Sequence, residues 1–227
     1  MARPALAVCA ALILSACGRA DAPAEADRSD QPALAEVNAP PAGPSFDCGK
    51  AESTAEKLVC SDAQLAALDR ETARLYALAK AKVEPVRLNE LEAYQRGWIK
   101  GRDDCWKAAD ERACIVDSYA SRIHELRRGY ANTRSADARS VSSGPMALVC
   151  DGFDAGISAI FIKGETDIAN LMWLDRIVTL VRQESASGAR YVGASFDGQY
   201  VFWSEGDEAT FERPRGRTLN CKVDQIG

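Results

Sequence analysis

The sequence predicts an α+β fold in two domains: a small disulfide-linked helical domain, then a small antiparallel β domain. Three observations carry this. Apolar residues recur at helical spacing between Leu65 and Leu126. From Met146 onward the pattern changes to short runs of β-forming residues separated by Gly and Asp turns. Six cysteines divide between the two segments: Cys48, Cys60, Cys105 and Cys114 in the first, Cys150 and Cys221 in the second.

In chain order, residues 1–16 read as a secretory signal peptide. Met1-Ala2-Arg3 supplies one positive charge, Ala5 to Leu14 is apolar, and small residues precede a cleavage point. The apolar run falls short of the roughly 20 residues needed to span a bilayer. Leu14-Ser15-Ala16-Cys17 resembles the lipobox of bacterial lipoproteins. The resemblance implies cleavage before Cys17 and lipidation there, with acyl chains such as palmitate holding the chain to the membrane. Gly18, rather than an aspartate, follows the cysteine, so outer-membrane anchorage in the bacterial envelope is expected. Residues 17–45 comprise that lipidated cysteine and a tether rich in Ala, Pro, Asp and Glu, with too few large apolar side chains for a core.

The helical domain is expected over 46–130. Asp62 caps a run with Leu65, Leu68, Leu75, Leu78 and Ala79 on one stripe. Pro85 suits the first turn of a second helix carrying Leu88, Leu91, Tyr94, Trp98 and Ile99. Ile115, Tyr119, Ile123 and Leu126 mark a third, ending before Gly129. This is a helical hairpin or three-helix unit, its apolar stripes read as core. Residues 131–145 are polar and read as a linker.

Residues 146–227 form the β domain. The expected strands are Ala147–Cys150, Ile157–Lys163, Leu171–Leu174, Ile177–Arg182, Gln199–Ser204, Ala209–Glu212 and Leu219–Val223. Strands this short suggest a sandwich or a barrel.

Export to an oxidising compartment makes the six cysteines disulfide candidates. None forms a Cys-x-x-Cys pair, and His124 is the sole histidine, so zinc and redox motifs are absent. Cys150 and Cys221 bracket the β domain and are expected to pair; Cys48–Cys60 and Cys105–Cys114 are the expected local pairs. A bridge closing a loop of this length is worth about 4 kcal/mol in the chain-entropy model.

The formal net charge is −5. Residues 46–130 hold 15 acids and 15 bases, for a net of 0, whereas residues 146–227 hold 12 acids and 8 bases, for a net of −4. An acidic β domain argues against nucleic acid and for a cationic partner. No enzyme is expected, and no cofactor or metal. His124 stands alone on a charged segment and reads as solvated. Ser187-Gly188 lacks a Gly-x-Ser-x-Gly frame, and Asp207 and Glu208 suit a solvated turn.

Two segments carry a more specific signal. Ser185-Ala186-Ser187-Gly188-Ala189-Arg190-Tyr191 has turn chemistry, and Tyr200-Val201-Phe202-Trp203-Ser204-Glu205-Gly206-Asp207-Glu208-Ala209 begins as an aromatic strand and breaks at Gly206. Together, over roughly Leu148 to Val223, they resemble the MliC/PliC family of inhibitors of C-type lysozyme. The resemblance implies an antiparallel β-barrel and a C-type lysozyme as protein partner. It implies a lysozyme-binding set of Ser187, Gly188, Ala189, Arg190, Tyr191 and Glu205, with Ser187 reaching the catalytic carboxylates. A C-type lysozyme is usually cationic, and its cleft pairs a protonated acid with an ionised carboxylate. The family carries lysine where this chain has Glu205, and a carboxylate there would face carboxylates. Weak inhibition, a different lysozyme, or binding without inhibition are the open outcomes. Val192 to Gln199 is also a longer connection than compact members have, expected to reshape the loop between its strands.

Phe46-Asp47-Cys48, Glu56-Lys57-Leu58-Val59-Cys60, Gln95-Arg96-Gly97-Trp98-Ile99-Lys100 and Arg102-Asp103-Asp104-Cys105 resemble the LprI-type family, over roughly Ser45 to Arg128. Some of its members are described as lysozyme inhibitors. Gln95, Trp98 and Arg102 share a helix face. That face is either a binding surface or, as we favour, Trp98 in a core with Arg102 paired to a nearby acid. The expected function is lysozyme inhibition by loop insertion; the alternative is an envelope adaptor binding peptidoglycan or another envelope protein.

Overall fold

The computed structural model describes residues 43–134 and 139–224. The leader and Cys17 lie outside the described residues. Four α-helices precede eight strands: α1 (Thr54–Ser61), α2 (Ala63–Lys82), α3 (Pro85–Asp103) and α4 (Glu111–Gly129). The last three are the expected runs. α1 was not among them, although its start is written in the sequence. Ser53 accepts from Glu56 N at 3.1 Å, and the Glu56 carboxylate accepts from Ser53 N at 3.1 Å, a reciprocal cap. Asp62 and Asp110 cap α2 and α4 by accepting from Leu65 N and Ala113 N, each at 2.9 Å. The bridges Cys48–Cys60 and Cys105–Cys114 form as expected.

The strands are β1 (Ser142–Cys150), β2 (Phe153–Ile162), β3 (Ile168–Trp173), β4 (Arg176–Gln183), β5 (Ala189–Ser195), β6 (Gly198–Glu205), β7 (Glu208–Glu212) and β8 (Leu219–Asp224). They pair antiparallel in chain order, and β8 closes on β1, giving a barrel. Cys150 lies opposite Cys221 in that closing pair, and the two are bridged. β5 is the strand missing from the expectation. Its run Ala189-Arg190-Tyr191-Val192-Gly193-Ala194-Ser195 is mostly small and polar, and pairing with β4 and β6 makes it a strand.

Inside the barrel, Leu148, Ile157, Leu171, Leu180, Phe202 and Phe211 are buried. Tyr200 stacks on Phe211 and Trp173 meets it edge-on, with centroids 5.9 and 5.3 Å apart.

The outer face of β2 and β3 is also buried. Ile160, Ile162 and Ile168 belong to the same apolar cluster as Leu65, Leu75, Ile115 and Ile123 of the helices. The described residues lie in one compact unit. Within 131–145, a short 3-10 turn spans Ala131–Thr133 and β1 already begins at Ser142. Polar bonds cross the same boundary. Arg127 Nε donates to Gly144 O at 2.7 Å, and Gln64 Nε2 donates to Thr166 O at 2.8 Å.

His124 is a correction. It is fully buried rather than solvated. Nδ1–H donates to Asn170 Oδ1 at 2.6 Å, and Nε2 accepts from Ser158 Oγ at 2.7 Å. Asn170 Nδ2 donates to Thr179 Oγ1 at 2.9 Å, and that hydroxyl donates to Asp117 of α4 at 2.5 Å. A helix face that looks charged in sequence is thus satisfied by polar groups on β2, β3 and β4.

Candidate functional site

The antiparallel pairing decides what the β4–β5 loop has for neighbours. Ala189 of β5 lies opposite Ser204 of β6, so Gly188 and Glu205 follow one residue further toward the same end of the barrel. Glu205 in turn lies opposite Glu208 across the Gly206-Asp207 turn. The loop 184–188 and that turn therefore form one edge.

The loop is held through its backbone. Ser187 O accepts from Trp203 Nε1 at 3.0 Å and from Ser185 Oγ at 2.6 Å. Gly188 O accepts from Arg182 Nη2 at 3.2 Å. These bonds leave the exposed Ser187 side chain at the tip. Gly188 has φ +63°, and a Cβ there would come within 2.7 Å of Ser204 O and 2.8 Å of the Trp203 indole. Only glycine takes this backbone and this contact without strain.

Ala189 and Arg190 are half-buried at the start of β5. Arg190 lies opposite Trp203, on positions that alternate with the inward-facing Tyr191 and Phe202. Tyr191 is buried, with its ring 5.9 Å from Phe161 and 6.2 Å from Phe202. Burial pushes its phenol above the ordinary tyrosine range. The Arg182 guanidinium sits 5.6 Å over that ring, so Tyr191 seats the arginine that holds Gly188. Glu205 is exposed at the end of β6. Lys222 of β8 lies opposite Glu208, the basic residue that register brings nearest to this turn.

The longer connection does not disturb this edge. Val192 to Ser195 continue β5 in unbroken register with Gly198 to Val201, and the turn falls at Phe196-Asp197, at the other end of the barrel. The extra residues lengthen a hairpin. The residue missed in the sequence is Trp203, the donor that fixes the loop. Its signal was the alternation Tyr200-in, Phe202-in, which puts Trp203 outside.

On the helical side, Arg102 is buried and paired, 2.7 Å from Asp103, and its Nη1 donates to Tyr119 OH at 3.0 Å. Trp98 is half-buried and Gln95 accepts from Arg122 Nε at 3.0 Å. Arg102 is therefore internal, as favoured. Among the described residues, no group of His, Cys, Asp and Glu side chains is arranged to hold a metal ion.

A family model described as "Membrane-bound lysozyme-inhibitor of c-type lysozyme" matches residues 149–220, which contain this edge. A second, "Lysozyme inhibitor LprI", matches residues 47–140. The chain is 30% identical over 214 residues to Lipoprotein LprI of Mycobacterium tuberculosis (strain ATCC 25618 / H37Rv), covering 94% of this chain and 95% of that protein. The chain belongs to the LprI family. Lipoprotein LprI of Mycobacterium bovis matches to the same extent. A stretch of 50 residues is 48% identical to the membrane-bound lysozyme inhibitor of C-type lysozyme of Escherichia coli (strain K12), 22% of this chain and 42% of that protein. This LprI-family chain thus joins a helical part and a barrel that are each similar to proteins named for lysozyme inhibition.

Proposed function

We propose that this LprI-family protein is a cell-envelope lipoprotein that inhibits a C-type lysozyme by inserting the 184–188 loop into the active-site cleft. The observation that carries it is the loop itself. Three donors pin the carbonyls of Ser187 and Gly188, so the Ser187 hydroxyl is offered on a backbone already ordered before binding. Such preorganisation lowers the entropic cost of association. The names of both matching family models support the partner. The acidity of residues 146–227 favours encounter with a cationic enzyme. Lipidation at Cys17 would hold the protein at the membrane, and Gly18 favours the outer one.

Ser187, Gly188, Ala189, Arg190 and Glu205 form the contacting edge in this reading, with Tyr191 supporting it from inside. Glu205 favours one competitor, an adaptor that binds in the envelope without inhibiting. A turbidity assay separates them. Purified protein should slow lysozyme clearing of a cell-wall suspension, and Ser187→Ala should weaken that effect. Clearing at the uninhibited rate with excess wild type overturns the inhibitor reading.

A further inference from the structure

The end of the barrel opposite the Ser187 loop carries features that inhibition does not use. Its loops are 151–152, 174–175, 196–197 and 213–218. Phe196, at the tip of the β5–β6 hairpin, is 92% exposed, and Leu174, at the tip of the β3–β4 hairpin, is 79% exposed. β4 pairs with β5, so the two tips are neighbours. Arg176 links them: its guanidinium lies 5.3 Å over the Phe196 ring, and its Nη1 is 2.6 Å from Asp197 Oδ2. The β7–β8 loop, Arg213-Pro214-Arg215-Gly216-Arg217-Thr218, adds three arginines to the same rim. It lies against the β5–β6 turn, since a Cβ at Gly198 would come within 2.9 Å of Pro214.

Backbone strain is concentrated here. Leu174 and Arg215, with φ of +49° and +56°, are the non-glycine residues with positive φ among the described residues. A bulky side chain is strained in that region, where glycine is not. Packing does not offset the strain, because both side chains are exposed. Strain of this kind collects at functional sites. Charge also separates the two ends. The four rim loops hold three arginines and three aspartates, for a net of 0. The loops at the opposite end, 163–167, 184–188 and 206–207, hold one lysine and four acids, for a net of −3. In an acidic domain the rim is the end that an anionic surface does not repel.

We propose that this rim contacts the surface of a phospholipid bilayer, with Phe196 and Leu174 inserted at the headgroup boundary and Arg215 at the lipid phosphates. The apolar offer is two side chains, far below the roughly 800 Å² per partner of a stable protein interface. Protruding tips with charged residues around them suit a headgroup layer, which yields to their shape. Aromatic rings sit at that level, and arginine lays its stem on apolar surface while its guanidinium stays among polar groups. Two side chains alone make a weak contact, since even a single myristoyl chain reaches only about 10⁴ M⁻¹. For a chain already tethered through Cys17 the contact becomes intramolecular, and a weak one is then enough. It would orient the barrel, with the Ser187 edge facing away from the membrane. The proposal rests on the envelope-lipoprotein reading and not on inhibition.

The test uses neither lysozyme nor the lipid anchor, so its outcome is separate from both. The chain from residue 17 onward, with Cys17→Ser, is sedimented with vesicles of phosphatidylcholine and phosphatidylglycerol. Partitioning onto the vesicles at millimolar lipid is expected. Leu174→Gly together with Phe196→Ser should weaken it about tenfold or more. Both side chains are exposed and glycine relieves the backbone at 174, so thermal unfolding should not fall. Arg215→Gln should weaken binding to these vesicles about fivefold and leave binding to pure phosphatidylcholine unchanged. The emission of Phe196→Trp should shift to the blue on vesicles and be quenched by lipids brominated in their acyl chains. No co-sedimentation of the parent chain overturns the proposal, as does partitioning that survives the tip substitutions. A dimer in sedimentation that the tip substitutions dissociate also overturns it, by placing a second copy on the rim.

Discussion

Glu205 carries the sharpest consequence at the scale of one residue. It stands one position beyond the Ala189–Ser204 pair, beside the Ser187 loop, where the inhibitor family has lysine. If this edge enters a cleft holding carboxylates, Glu205 opposes binding. Glu205→Lys should replace repulsion by a charge-assisted hydrogen bond, worth on the order of 1.5–3 kcal/mol. Affinity for a C-type lysozyme should rise about tenfold or more. Isothermal titration of the mutant against wild type reads this directly; equal affinities would move the contact away from Glu205. The Ser187-Gly188 turn was legible because turn chemistry is local. The burial of Tyr191 was not, because the strands that enclose it lie elsewhere in the chain.

α4 shows at the scale of an element how burial turns a charged-looking segment into an internal one. His124 is pushed down from its ordinary value near 6.5 to about 4, chiefly because burial penalises the imidazolium. The unfolded chain keeps the ordinary value. Above pH 6.5 both states are neutral and this group takes nothing from stability. As pH falls from 6.5 toward 4, the unfolded state binds the proton first, so stability is lost. The loss should approach about 3 kcal/mol near pH 4. Urea unfolding at pH 7.5 and 4.5 checks it: wild type should lose about 2–3 kcal/mol more between the two than His124→Gln. Parallel losses would mean the ring is hydrated. The sequence placed α2, α3 and α4 by period and caps. It also held two unread signals, the Ser53–Glu56 cap of α1 and the unbroken apolar run Ala159-Ile160-Phe161-Ile162. Such a run, without alternation, belongs to a strand covered on both faces.

That cover is the main fact at the scale of the whole molecule. Ile160, Ile162 and Ile168 point out of the barrel and into the helical cluster, with Val181 packed beside them. A fragment of residues 139–227 would expose this patch while keeping the Cys150–Cys221 bridge. It should self-associate in light scattering at concentrations where the full chain does not. A monomeric, cooperatively folding fragment would show that the helical layer is dispensable to the barrel.

Local sequence was enough for α2 to α4, for every strand but β5, for the grouping of cysteines into three bridges and for the Ser187 turn. Each depends on neighbours a few residues apart or on a change in period. The seating of α4 on β1 to β4, the burial of His124 and the inward turn of Tyr191 came only with the tertiary structure. They depend on which faces meet. Arg122 and Gln95, or His124 and Asn170, lie tens of residues apart, and a periodic pattern says that a face is apolar or charged without saying what it will touch.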